Sequence, residues 1–281
     1  MNISIIGLGL IGGSYALSLK QRFRKMTLYG WDQNEAHNLE AKERNIIDVS
    51  CNSLEEALKV GDWILLAIPV NSIASSLSGM LDVLASHQLI IDFGSTKEQI
   101  CKRVARHKKR NQFIAAHPIA GTEYSGPRAA FSTLFKNKVM IVCEPEKTKS
   151  DFLSAFKDQC SDLGMGIIYL DAAEHDAHLA YASHLSHIIA FGLSHTVLQK
   201  EEFATKILDL AGSGLASTVR LAKSSPEMWT PIFINNRDAI LESLDIYLEK
   251  IHDFKALLTV SNAQGIKAYL EKGGEIKKIL K

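Results

Sequence analysis

The chain is poor in features that mark several protein classes. It has four cysteines in 281 residues, Cys51, Cys101, Cys143 and Cys160, with no CxxC pair and no metal-ligand spacing. Cysteines this few and scattered exclude a disulfide framework and point to a reducing compartment, the cytoplasm. No apolar run reaches the roughly 18 residues that a membrane span needs. Charge of one sign is also missing: 32 Lys and Arg stand against 31 Asp and Glu, a net +1. Without a basic field, nucleic acid and anionic membranes are not expected partners. The basic runs Arg22–Lys25 and Arg103–Arg110 read as solvated helix ends. The first residues, MNISIIGLGLIGGSYALSL, have no basic leader, and glycines at 7, 9, 12 and 13 interrupt the apolar stretch. They read as a strand and a glycine loop rather than a signal peptide.

The chain does hold enough apolar residues, 46% of the total, for about two domains. Short apolar runs predict strands at Ile3–Ile6, Met26–Tyr29, Trp63–Ile68, Leu89–Asp92, Phe113–Ala116, Lys138–Val142 and Gly166–Tyr169. Helical spacing falls between them, at Gly13–Gln21, Glu35–Arg44, Ser53–Leu58, Ser72–Leu84, Lys97–His107 and Lys149–Leu163. Doubly buried strands alternating with helices predict a doubly wound parallel sheet over residues 1–170. From 171 to 281 the spacing is helical throughout, with breaks at Lys200–Glu202, Gly212–Gly214, Ser224–Pro226 and Gly273–Gly274. Ser225-Pro226 is a helix start, a capping residue followed by proline in the first turn. Helices this apolar call for a partner surface, so a homodimer through the helical domain is expected.

Gly7-Leu8-Gly9-Leu10-Ile11-Gly12 is a GxGxxG motif set between an apolar strand and a helix. Gly7 suits the tight turn, Gly9 a close approach of pyrophosphate to backbone, and Gly12 the packing of helix on strand. Leu10 and Ile11 open the helix whose N–H groups would receive the diphosphate. Asp32 follows the second strand, twenty residues beyond Gly12, where a carboxylate binds ribose and disfavours a 2′-phosphate. Together these predict a Rossmann-type domain that binds NAD rather than NADP. Pro69 and Ser95 end two more strands at the same crevice, with Pro69 shaping the nicotinamide floor.

His117 follows the strand Phe113–Ala116 and precedes a glycine-containing loop. An imidazole there has the right intrinsic pKa to take a hydroxyl proton during hydride removal. Ser95 would bond the same hydroxyl or orient the ring. Residues 175–187 hold four histidines. On a regular helix His175 and His184, nine residues apart, lie half a turn round from each other. That argues against a zinc site, and no metal is expected. His184 or His187 instead lines a pocket for an anionic substrate. Arg220, in a small apolar run, either snorkels to solvent or holds a carboxylate.

The blocks GLGLIGGS at 7–14, DFGSTK at 92–97, HPIAGTEYSG at 117–126, HDAHLAYASHLSH at 175–187 and STVRLAKSSPEMW at 217–229 resemble the prephenate dehydrogenase family of tyrosine biosynthesis, which includes arogenate dehydrogenases. Two departures are small: a valine often precedes the lysine of DFGSTK, and SHLPH is the usual form of SHLSH. The resemblance implies oxidative decarboxylation of prephenate to 4-hydroxyphenylpyruvate. His117 would act on the C4 hydroxyl with Ser95 bridging, and Arg220 would engage a substrate carboxylate. His184, His187, Thr122 and Glu123 would line the pocket. Arogenate is the chief alternative substrate, with His187 favouring the keto acid. A 3-hydroxyacid dehydrogenase or imine reductase would lack the HPIAGTE block. A non-catalytic NAD sensor would have no use for His117, Ser95 and Arg220 together. Residues 1–281 are filled by the two halves, so a stand-alone dehydrogenase is expected, without a fused chorismate mutase or ACT domain.

Overall fold

A computed structural model describes residues 1–201 and 207–279. Its strands are β1 (Asn2–Ile6), β2 (Thr27–Trp31), β3 (Val49–Ser50), β4 (Trp63–Leu66), β5 (Leu89–Asp92), β6 (Phe113–Pro118), β7 (Val139–Cys143) and β8 (Gly166–Leu170). They form one sheet in the order 3-2-1-4-5-6-7-8. Helices α1 (Leu10–Arg22), α2 (Glu35–Glu43), α3 (Leu54–Val60), α4 (Val70–Val83) and α5 (Glu98–Val104) connect the strands from β1 to β6, and α6 (Ser150–Asp162) connects β7 to β8. The order reverses between β1 and β4, which pair in register Ile3↔Trp63 to Ile6↔Leu66. That reversal opens a crevice at the carboxyl ends of these strands.

The alternation of side chains splits the core between the two faces. Ile3, Ile5, Trp63, Leu65, Ile114 and Ala116 pack on one side with Tyr15, Leu19, Phe135 and Phe156. Ile6, Ile64, Leu66, Phe113 and Ala115 pack on the other with Ile73, Leu77, Trp229 and Ile232. This is the period of two expected of a sheet covered on both sides.

Two details differ from the sequence expectation. The two-residue strand β3 adds an edge too short to register as an apolar run. More consequentially, β6 and β7 pair antiparallel, with His117 opposite Ile141, while every other pair is parallel. The link between them holds a single 3₁₀ turn, Pro127–Ala129, and no crossover helix. Parallel neighbours need such a crossover, and without it the chain turns back on itself.

After β8 the described residues contain helices alone. Asp171 caps α7 (Ala172–Leu179), accepting from the Ala173 N–H at 2.8 Å. A π-turn, Ala180–His184, leads into α8 (Leu185–Glu201). The break expected at Lys200–Glu202 runs into residues 202–206, which lie outside the described residues. The short α9 (Ser213–Thr218) comes next, then α10 (Pro226–Asn235), whose start is the expected one: Ser225 accepts from the Met228 N–H and Pro226 fills the first turn. Compact units cover Met1–Asn236 and Arg237–Lys281. The second unit holds α11 (Arg237–Thr259) and α12 (Ala263–Gly273), joined by a turn with Ser261 at φ 52°. Tyr269 ties them by donating to the Lys250 carbonyl at 3.1 Å and packing on Phe254.

Candidate active site

At the carboxyl end of β1, Gly7 has φ +93°, and a Cβ there would come within 2.4 Å of the Ala67 carbonyl oxygen. At Gly12 a Cβ would lie 2.0 Å from the Gly7 oxygen. Both positions require glycine for close packing. Gly9 is different: a Cβ there would meet nothing within 4 Å. Open space over Gly9 therefore faces the start of α1, where no side chain caps the helix. Its first N–H groups suit an anion. Leu10 is buried and Ile11 half-buried beside them. Asp32 accepts from the Leu8 N–H at 2.9 Å and the Asn34 N–H at 2.9 Å, which fixes its carboxylate at the rim of the glycine loop. Pro69 sits exposed at the start of α4, just past β4. The cradle thus has the room, the donors and the carboxylate that a dinucleotide requires.

His117 lies at the carboxyl end of β6, with its ring partly buried. Its Nδ1 is 2.9 Å from Nε2 of His175, which is fully buried. The other ring nitrogen of His175 is 2.7 Å from Oδ1 of Asp176. Asp176 also receives the N–H of Lys97 at 2.7 Å and of Glu98 at 2.9 Å, at the start of α5. Close by, the Lys97 ammonium pairs with Asp92, both at 0% exposure. Burial pushes the His117 pKa well below the ordinary histidine value, with His175, Lys97 and His184 acting in the same direction. The ring is therefore a free base at neutral pH.

Ser95 is half-buried in the loop after β5, and the His117 Nδ1 is held by His175 rather than by Ser95.

On the helical side, Asn236 donates to Nδ1 of buried His184 at 3.0 Å and to the Asp176 carbonyl at 2.7 Å. The His187 ring stacks on Trp229 with centroids 3.5 Å apart, and its Nδ1 donates to the Ser183 carbonyl at 3.0 Å. Its Nε2 has no hydrogen-bond partner among the described residues, and it donates to a carboxylate only when the ring is protonated. Arg220 pairs with Glu123 at 3.0 Å, with the guanidinium side chain 50% exposed. The Glu123 carboxyl is held below its usual range by its own backbone N–H and by Arg220. Thr122 accepts from the Tyr124 N–H at 3.3 Å in the same loop.

One inference from helical geometry is overturned. Half a turn between His175 and His184 assumed 3.6 residues per turn throughout, but the π-turn Ala180–His184 inserts an extra residue and rotates the helix beyond it. Both rings are buried and tied to Asp176, one by its side chain and the other through Asn236. Among the described residues no group of three or more candidate ligands is placed to hold a metal ion. Sequence reasoning also missed Asn236 and Trp229. The Trp229 Nε1 is a buried donor without a partner among the described residues, as is the hydroxyl of Thr96 beside Ser95. Trp229 closes the block at 217–229 without a role of its own having been read there, and no local pattern marks Asn236.

A family model described as prephenate dehydrogenase, nucleotide-binding domain, matches residues 15–169. A second, described as prephenate dehydrogenase, dimerization domain, matches residues 171–272. The chain belongs to the prephenate dehydrogenase family. This is a family of NAD-dependent oxidoreductases, as the sequence blocks implied. The cyclohexadienyl dehydrogenase of Zymomonas mobilis is 31% identical over 94% of this chain and 89% of that protein. The prephenate dehydrogenase of Lactococcus lactis subsp. cremoris is 31% identical over 99% of this chain and 77% of its own length. Among solved structures, prephenate dehydrogenase from A. aeolicus in complex with hydroxyphenyl propionate and NAD+ matches with a TM-score of 0.90 at 28% identity, covering 99% of this chain and 97% of that one. In this member of the prephenate dehydrogenase family, no described helix is long and apolar enough to cross a membrane.

Proposed function

We propose that this chain converts prephenate and NAD+ to 4-hydroxyphenylpyruvate, CO2 and NADH, in the cytoplasm and as a homodimer. The division near residue 170 then separates a cofactor-binding half from a helical half that binds substrate and forms the dimer. The family supports the reaction class. The observation that carries it in this chain is His117, a neutral imidazole at a strand's carboxyl end with one nitrogen held by His175.

Gly7, Gly9 and Gly12, with Leu10 and Ile11, would hold the cofactor's diphosphate, Asp32 would bind its adenosine ribose, and Pro69 would lie on the nicotinamide side. When bound, the nicotinamide supplies the acceptor for the hydride that leaves C4. His117 takes the C4 hydroxyl proton as that hydride departs. It returns the proton to the phenolate oxygen once loss of the ring carboxylate as CO2 has made the ring aromatic. The imidazole thus ends each turnover as it began, and no net proton is consumed. Ser95 hydrogen-bonds the same hydroxyl. Arg220 binds a substrate carboxylate in competition with Glu123, while His184, His187 and Thr122 line the pocket.

The test is formation of reduced nicotinamide with prephenate or arogenate, each with NAD or NADP. Turnover of prephenate with NAD is expected. Preference for arogenate would move the chain to the alternative substrate, and silence with both would refute the proposal. His117→Asn should bind prephenate nearly normally with turnover down at least ~10²-fold.

A further inference from the structure

Proton transfer from the C4 hydroxyl requires a lone pair on one particular nitrogen of His117, and the buried groups behind the ring decide which. Three groups form a line: His117 Nδ1 to His175 Nε2 at 2.9 Å, then His175 Nδ1 to Asp176 Oδ1 at 2.7 Å. Asp176 is anchored by the N–H groups of Lys97 and Glu98, and its backbone carbonyl is anchored by Asn236. A carboxylate only accepts, so His175 must carry its hydrogen on Nδ1. Neutral His175 then has a bare Nε2, which only accepts in turn. His117 must donate to it from Nδ1. Its own bare nitrogen is Nε2, the one not engaged by His175.

We propose that His175 and Asp176 are positioning residues that fix the tautomer of His117 with its basic nitrogen toward the substrate. The inference rests on the reading of His117 as the base. The charged and titratable groups acting on the line are Asp176 and Asp92 on the negative side, with Lys97 and His184 opposing protonation. The Lys97 ammonium is paired with Asp92, which leaves Asp176 as the carboxylate hydrogen-bonded into the line. When His117 takes up a proton during turnover, that carboxylate two links away steadies the cation without moving. The arrangement also explains why His175 is fully buried beside a carboxylate on the face of α7 that meets α5, rather than turned toward solvent.

Asp176→Asn tests the assignment because an amide can present an N–H to His175. With the amide oxygen on the Glu98 N–H and the amide nitrogen toward His175, every link reverses and the His117 hydrogen moves to Nε2. Ring nitrogen chemical shifts of histidine-labelled protein, recorded without cofactor or substrate, report the tautomer directly. The wild type is expected to show the Nδ1–H form at His117. The Asp176→Asn variant is expected to show the Nε2–H form, with kcat lower by about 100-fold and KM changed less than about threefold. An Nε2–H form in the wild type, or a tautomer and kcat unchanged in both Asp176→Asn and His175→Phe, would overturn the assignment. If Asp176→Asn does not fold, His175→Phe removes both links, and a tautomer still purely Nδ1–H in that variant has the same meaning. Because the tautomer is read without turnover, a wild type with the expected form and no activity on prephenate or arogenate would count against the proposed reaction alone.

Discussion

Burial of four histidines in the family's signature segments is expected to lower stability in acid, and His184 allows the effect to be sized. Its pKa is lowered from 6.5 to about 4, chiefly by burial, with His175 and His187 adding to the shift and Asp176 opposing it. The folded protein therefore resists the proton that the unfolded chain accepts. The contribution of this ring to stability is present above pH 6.5 and is lost as the pH falls toward 4. Between pH 8 and pH 5 the difference in proton uptake amounts to about 2 kcal/mol from this one ring. His117, His175 and His187 shift in the same direction and steepen the loss. His184→Asn keeps an oxygen able to accept from Asn236 and removes the titrating group. Urea unfolding at both pH values, at fixed protein concentration, gives the double difference, in which any constant cost of the substitution cancels. The variant should lose about 2 kcal/mol less than the wild type over that interval. Equal losses in the two proteins would show that His184 is not held neutral by its surroundings.

Other substitutions probe separate parts of the site. Arg220→Ala removes a cation already shared with Glu123, and steady-state kinetics should show KM raised about tenfold with kcat changed less. A collapse of kcat at constant KM would assign Arg220 a different role. Asp32→Ser frees the Leu8 N–H and removes the charge that repels a 2′-phosphate, so the NAD to NADP preference should fall by at least about tenfold. Gly12→Ala puts a methyl 2.0 Å from the Gly7 oxygen. Loss of NAD binding by calorimetry together with a lowered melting temperature is expected, whereas Gly9→Ala should lower affinity with little change in melting.

Much of this protein is set by patterns that act over a few residues. Short apolar runs bounded by turn residues and alternating with helical spacing read as strands of a covered sheet, and a GxGxxG motif between strand and helix needs Gly7 and Gly12 for steric reasons local to the turn. Asp32 and His117 were placed because they come directly after strands, and strand ends in such a sheet converge on one crevice. The helical character after residue 171 likewise rests on spacing alone. The tertiary structure decided what local spacing cannot carry. The antiparallel β7 depends on how a link lacking a crossover helix returns to the sheet. The Arg220–Glu123 pair joins residues 97 positions apart. Most tellingly, the π-turn at Ala180–His184 leaves no mark on apolar periodicity, yet it rephases the helix and buries His184 beside the Asp176 that holds His175 and, through it, His117. A regular helix would have put His175 and His184 on opposite faces, because a rotation of the backbone acts on every later residue of the helix while changing none of their identities.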